Sequence, residues 1–145
     1  YVDKKESKST LRTTGNLGSR NTLYSTSLGK AILATYSKSE INRYMEQVNL
    51  LPRTKNTIVN REDLLEDLNR IRQRGYSISD EENEEGIYCI AAPICNSTGK
   101  SISALCISSL KMKVDNERTE VHKEFVIKAA LEISRKLGYA KESLY

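Results

Sequence analysis

Apolar residues recur at three- and four-residue steps over Leu28, Ala31, Ile32 and Tyr36, behind a turn-rich stretch of Gly15, Asn16, Gly18 and Ser19. That spacing predicts a short helix opening near Ser27. Ser37 followed by Glu40 has the form of a capping box, and Ile41, Tyr44, Met45 and Val48 set one apolar stripe on the helix it starts, which Leu51-Pro52 ends. Asn60 with Asp63 opens a third helix, carried by Leu64, Leu65, Leu68 and Ile71 and stopped by Arg74-Gly75, a basic last turn followed by a glycine suited to a left-handed cap.

Between the helices the period changes from 3.6 to 2. Tyr76 to Ser79 is extended, and Ile87 to Ile94 is apolar on both alternating faces, which predicts a central strand covered on both sides. Asn96 to Lys100 forms a hairpin connection into Ser101 to Leu110, again apolar on both faces, so two adjacent antiparallel strands are expected. Residues 1–13 alternate loosely and predict one or two exposed strands at the periphery.

Asn116 to Leu137 predicts a long helix stopped at Gly138. Its core stripe is read as Val121, Phe125, Ala129, Ile133 and Leu137 at i+4 steps, flanked by Val126 and Ala130. Ile127 and Leu131 lie off that stripe, which leaves them as scattered surface aliphatics or as a contact for a partner subunit.

At 145 residues the chain is long enough for one core, and it is expected to form a single domain over 1–145 that buries roughly two thirds of its unfolded surface. The longest apolar stretches, such as Cys89 to Cys95, fall far short of the ~20 residues that span a bilayer, and Tyr1 to Thr14 lacks a signal core. A soluble, cytoplasmic chain with no membrane partner is expected. The net charge of +4 is too small by itself to hold a phosphate backbone at physiological salt, and the cluster Lys4, Lys5, Lys8, Arg12, Arg20 is diluted by Asp3 and Glu6. Three cysteines with no CxxC spacing argue against a disulfide framework and a thiolate zinc site, so reduced thiols and no metal are expected.

The chemistry-bearing residues are few. Gly29-Lys30 resembles the end of a phosphate loop, but Tyr24 stands where its first glycine belongs and Ala31 where its hydroxyl belongs, so no nucleotide site follows. Ser25, Thr26 and Ser27 precede a helix start, where they read either as ordinary caps or as holders of a small anion. The five carboxylates from Asp80 to Glu85 lack calcium-loop spacing and read as a solvated loop. His122, the only histidine, falls in the apolar sector of the last helix and is expected to be packed, and no GxSxG motif occurs. Strand alternation places Ile102, Ala104, Cys106 and Ser108 on one face, with Cys89 on the neighbouring strand, which describes either a small polar pocket or plain core cysteines.

Four segments in order resemble the effector-binding domain of the IclR family of bacterial transcription regulators: residues 23–34 (LYSTSLGKAILA), 75–82 (GYSISDEE), 86–94 (GIYCIAAPI) and 104–108 (ALCIS). The resemblance runs from about Tyr1 to Gly138. It implies a GAF-like α/β (α+β) domain, an antiparallel central sheet with helices on both sides, and a pocket on one sheet face for a small metabolite. It also implies a dimer or tetramer, no cofactor, and DNA binding only through an N-terminal winged helix-turn-helix domain absent from this chain.

Carried over residue by residue, the resemblance puts the effector contacts on Ser27, Leu28, Ser79, Cys89, Cys106 and Ser108. Ser79 stands where many members place an aspartate and Cys106 where a serine is frequent, so a less acidic pocket with a weaker donor is expected. Effector identity does not carry over with the resemblance, but a less acidic pocket with Ser27, Ser108 and helix N–H groups tolerates an anion, since each donor offsets part of a carboxylate's lost hydration, and a small organic or sugar acid is expected. Two other readings compete with this non-enzymatic sensor: a GAF-like thiol redox enzyme using Cys89, Cys95 and Cys106, and an oligomerisation domain with a degenerate pocket associating through surfaces such as Ile127 and Leu131.

Overall fold

A computed structural model describes residues 1–7 and 15–145. Helix α1 spans Ser27–Leu33, α2 Lys38–Gln47, α3 Arg61–Arg74 and α4 Asn116–Lys136; strands β1 (Ser77–Asp80), β2 (Ile87–Cys95) and β3 (Ser101–Leu110) lie between α3 and α4, and a 3-10 turn at Lys111–Lys113 links β3 to α4. The helix starts follow from local chemistry. Thr26, Ser37, Asn60 and Asp115 each place a side-chain oxygen on a backbone N–H of the first turn, and Ser37 with Glu40 completes the reciprocal capping box. Gly75 closes α3 at φ 86°, donating its N–H to the Ile71 carbonyl, a geometry that a side chain at that position would strain.

Among the described residues the strands form one antiparallel sheet in the order β1-β2-β3. Ile78 pairs with Ile90, which pairs with Ile107; one row over, Ser79 pairs with Cys89, which pairs with Ser108. Adjacent rows face opposite sides of the sheet. Tyr88, Ile90 and Ala92 pack with Leu105 and Ile107 against Val126 and Ala130 of α4. On the other side, Ser77 Oγ donates to the Ser27 carbonyl and Ser79 Oγ to the Ser25 carbonyl at 3.3 Å, which lays α1 across the sheet. A second apolar cluster joins Leu33 and Ala34 of α1, Ile41 of α2, and Leu64, Leu68 and Ile71 of α3. The result is the antiparallel sheet with helices on both sides that the sequence implies.

Several expectations change. Residues 1–7 form no strand, and the remainder of the expected N-terminal strands, including Leu11, lies outside the described residues. Helix α2 ends at Gln47, short of Leu51-Pro52, and Tyr36 falls beyond α1. β3 is half-exposed over most of its length and, among the described residues, has a neighbour on one side only. His122 is half-buried on α4.

The largest correction concerns which face of α4 meets the sheet. Val126, Ala130 and Ser134 are buried, with Ile127 and Leu131 packed against the same cluster, whereas Val121, Phe125, Ile133 and Leu137 of the expected core stripe are exposed, Phe125 at 64%. Two faces of this helix carry i+4 apolar spacing. The sheet selects the one with the smaller side chains, because Ser134 must come close enough to accept the Cys95 N–H at 2.9 Å while donating to the Ala130 carbonyl.

Candidate functional site

The row Ser79, Cys89, Ser108 runs straight across the sheet on the α1 side. Two-residue alternation adds Cys106 to the same face, and α1 contributes Ser27 and Leu28 above it. These six residues, the ones the family resemblance singles out, all line one cavity of about 250 Å³. Cys89 Sγ lies 3.1 Å from Ser108 Oγ, and Cys106 Sγ 3.7 Å from the same hydroxyl, so Ser108 is shared between the two thiols.

The sequence missed part of the wall. Tyr1 and Asn21 enter from the N-terminal segment, where the Asn21 side-chain amide donates to Tyr1 Oη at 3.4 Å, and Asn83 and Glu84 enter from the acidic loop. No local pattern marks these positions, since each arrives through tertiary folding. The expectation of a pocket poor in negative charge is therefore only half met. Ser79 brings no carboxylate, but Glu84 does, and no Lys, Arg or His is among the lining residues.

Ser25 and Thr26 have structural duties. Thr26 Oγ1 accepts the Gly29 N–H at 3.1 Å, and Ser25 Oγ sits 2.6 Å from Thr22 Oγ1 and donates to Asn83 Oδ1 at 3.0 Å. The first pair caps the helix. The second tethers the acidic loop to the cavity wall, leaving Ser27 as the member of the trio that hydrogen bonds toward Cys89.

The acidic loop is not uniformly solvated. Glu82 is buried, and both its oxygens lie 2.7 Å from Lys30 Nζ, which also donates to Asp67 at 2.8 Å. Lys30 is thus an internal cation that ties α1 to α3 and to the loop, not a phosphate ligand. Gly29 beside it permits the approach: a Cβ there would stand 2.3 Å from the Leu23 backbone.

Burial pushes the Cys89 thiol up to about 11, with Cys106 adding to the shift and hydrogen bonds from Ser108 and Ser27 opposing it. Burial likewise raises Cys106 and Cys95. Cys95 lies beyond an irregularity at Ile94/Cys95 and packs in the α4 cluster instead of the cavity. A thiol chemistry needs an accessible thiolate, and these environments withdraw it. Among the described residues, no group of three metal-ligating side chains converges.

Comparison with known proteins gives the family. Residues 1–135 match the family described as the bacterial transcriptional regulator IclR C-terminal domain. The chain belongs to the IclR family. It is 37% identical over 139 residues to the HTH-type transcriptional regulator KdgR of Escherichia coli (strain K12), covering 96% of this chain and 53% of that protein. The crystal structure of the Thermotoga maritima IclR is matched at a TM-score of 0.92 with 40% identity, over 96% of this chain and 56% of that one. The inducer-binding domain of PobR from Acinetobacter, solved as a double mutant with 3-hydroxybenzoic acid, is matched at a TM-score of 0.76 with 30% identity, over 82% of this chain and 69% of that one.

The chain spans about half the length of the IclR-family regulator KdgR. Its relatives are named as transcriptional regulators, and with burial raising all three thiols and Cys95 lying outside the cavity that holds Cys89 and Cys106, the thiol-enzyme alternative built on Cys89, Cys95 and Cys106 is set aside.

Proposed function

We infer that these 145 residues form one effector-binding unit of an IclR-type regulator, and that the cavity over the Ser79, Cys89, Ser108 row receives a small organic or sugar acid. The observation that carries the reading is the row itself: three neutral polar side chains in register on one sheet face, open to a cavity whose roof is Ser27 and Leu28. A volume of about 250 Å³ suits a ligand of metabolite size. Hydroxyl, thiol and amide groups can satisfy several ligand oxygens, each hydrogen bond offsetting part of the hydration lost on entry. PobR offers a parallel, since its inducer-binding domain holds a hydroxylated acid.

Ligand occupancy acts by differential affinity for two arrangements of a homodimer or homotetramer. The exposed α4 stripe around Phe125 is the surface that favours such self-association, replacing the contact expected at Ile127 and Leu131. DNA is bound by the helix-turn-helix part of the regulator, outside these residues, in the cytoplasm. Among the described residues no helix is long and apolar enough to cross a membrane.

A thermal-shift screen against small hydroxy acids, keto acids and sugar acids tests the assignment. A ligand present at 100 times its Kd adds about 2.7 kcal/mol to stability. Ser108→Ala is expected to weaken a hit by about two- to tenfold through one lost hydrogen bond, and Cys89→Leu to remove it by filling the cavity. A hit that survives both changes intact places the ligand elsewhere and defeats this reading.

A further inference from the structure

A second, larger concavity of about 660 Å³ lies at the far end of α1, between the α1–α2 turn, α3 and the C-terminal segment. Its lining combines two chemistries. Ile41, Leu65 and Leu144 supply apolar surface, and Tyr36, Tyr139 and Tyr145 supply aromatic surface. Lys38, Arg72 and Lys141 supply three positive charges, and no acidic side chain is among the lining residues.

The cations differ in what holds them. Arg72 is spent on the fold: its Nε donates to the Ala34 carbonyl at 2.7 Å, one terminal nitrogen to Asn69 and the other to the Tyr36 carbonyl. Burial raises the half-buried Tyr145 phenol, and the Arg74 and Arg72 guanidinium groups oppose that rise. Lys38 and Lys141 are exposed and make no ion pair among the described residues. An apolar, tyrosine-walled cleft edged by two unpaired ammonium groups complements a molecule with an apolar body and an anionic head.

We propose that this groove is a second ligand site, separate from the Ser108 cavity, for amphipathic organic anions of the aryl or medium-chain carboxylate, sulfonate or phosphate type. The apolar body lies on Ile41, Leu65 and Tyr145, and the head group meets Lys38 and Lys141. Ser27 belongs to the first cavity and Ala34 to the groove, so the two sites sit at opposite ends of α1, separated by about 10 Å at 1.5 Å per residue.

The probe is 1-anilinonaphthalene-8-sulfonate, titrated by fluorescence in parallel with its uncharged counterpart N-phenyl-1-naphthylamine. Lys38→Glu/Lys141→Glu is expected to weaken the sulfonate by about tenfold or more, as two reversed charges near one head group imply, while the neutral probe changes by less than about twofold. Cys89→Leu, in the other cavity, should leave both probes unchanged. The groove is refuted if the double variant binds the sulfonate as tightly as the parent protein. It is equally refuted if binding is lost in Cys89→Leu, or in Phe125→Glu on the exposed α4 stripe, while the lysine variant retains it. Should the charge reversal disturb folding, Lys38→Gln/Lys141→Gln makes the same comparison with neutral side chains.

Discussion

Lys30 Nζ lies 2.7 Å from both carboxylate oxygens of Glu82, so a buried cation on the cavity helix holds the loop that carries Asn83 and Glu84 to the cavity edge. Asp67 of α3 completes the cluster from the other side at 2.8 Å. Lys30 is 1% exposed, and the interaction is therefore little screened by solvent. Lys30→Met leaves two buried carboxylates without their cation and is expected to cost about 3–5 kcal/mol in denaturant unfolding.

The same cluster sets a pH dependence. Burial raises Glu82 above its ordinary 4.5, while Lys30 opposes the rise. A carboxyl whose folded-state pKa is raised binds its proton more tightly in the folded state, so its contribution is full below 4.5 and fades as pH climbs through the folded value. Removing Lys30 removes the opposing effect and extends that window upward. Lys30→Met should therefore be closest to the parent protein in stability near pH 4.5 and furthest from it near pH 8; an equal difference at both would show that the carboxylates do not carry the cost.

Cys89 offers a chemical check on the cavity. With its thiol raised to about 11 by burial, only about one part in a thousand is thiolate at pH 8. Iodoacetamide should modify Cys89 at pH 8 on the order of a hundredfold more slowly than an ordinary cysteine thiol, and the rate should climb with pH well beyond 9. Peptide mass spectrometry over a pH series measures it. Rapid labelling at neutral pH would contradict the raised Cys89 thiol.

Position 29 tests the close approach of α1 to the preceding segment. Because an added Cβ would stand 2.3 Å from Leu23 backbone atoms, Gly29→Ala must displace main chain and not merely a flexible side chain. A loss of about 1–3 kcal/mol or more is expected. A melting temperature equal to that of the parent protein would show that the segment yields freely.

The α4 faces separate assembly from stability. Phe125→Glu changes an exposed residue and should leave the unfolding free energy within about 0.5 kcal/mol while lowering the mass seen by light scattering. Val126→Asp buries an unpaired charge against Ile90 and Ala130 and should destabilise by several kcal/mol, about 3 or more. If Phe125→Glu leaves the mass unchanged, the stripe is not the self-association surface.

Local chemistry alone determined much of this protein. The capping oxygens of Ser37 and Asn60, the left-handed Gly75, and the shift from helical to two-residue periodicity at Tyr76 are settled within a few residues, because each depends on backbone groups close by in the chain. Alternation also put Cys106 and Ser108 on one face before any tertiary contact was known. The choice between the two apolar faces of α4 was different in kind. Phe125 and Val126 both fit a helical stripe, and only the distance of closest approach to the sheet, fixed by Ser134 against Cys95, turned Phe125 outward. Strand register was equally nonlocal: it aligned Ser79, Cys89 and Ser108 in one row, and folding brought Asn21 and Glu84 to the same cavity across more than 60 residues of chain. Hydrogen-bonded caps are read from neighbours in sequence, whereas a cavity is made by surfaces that meet only after the chain has closed on itself.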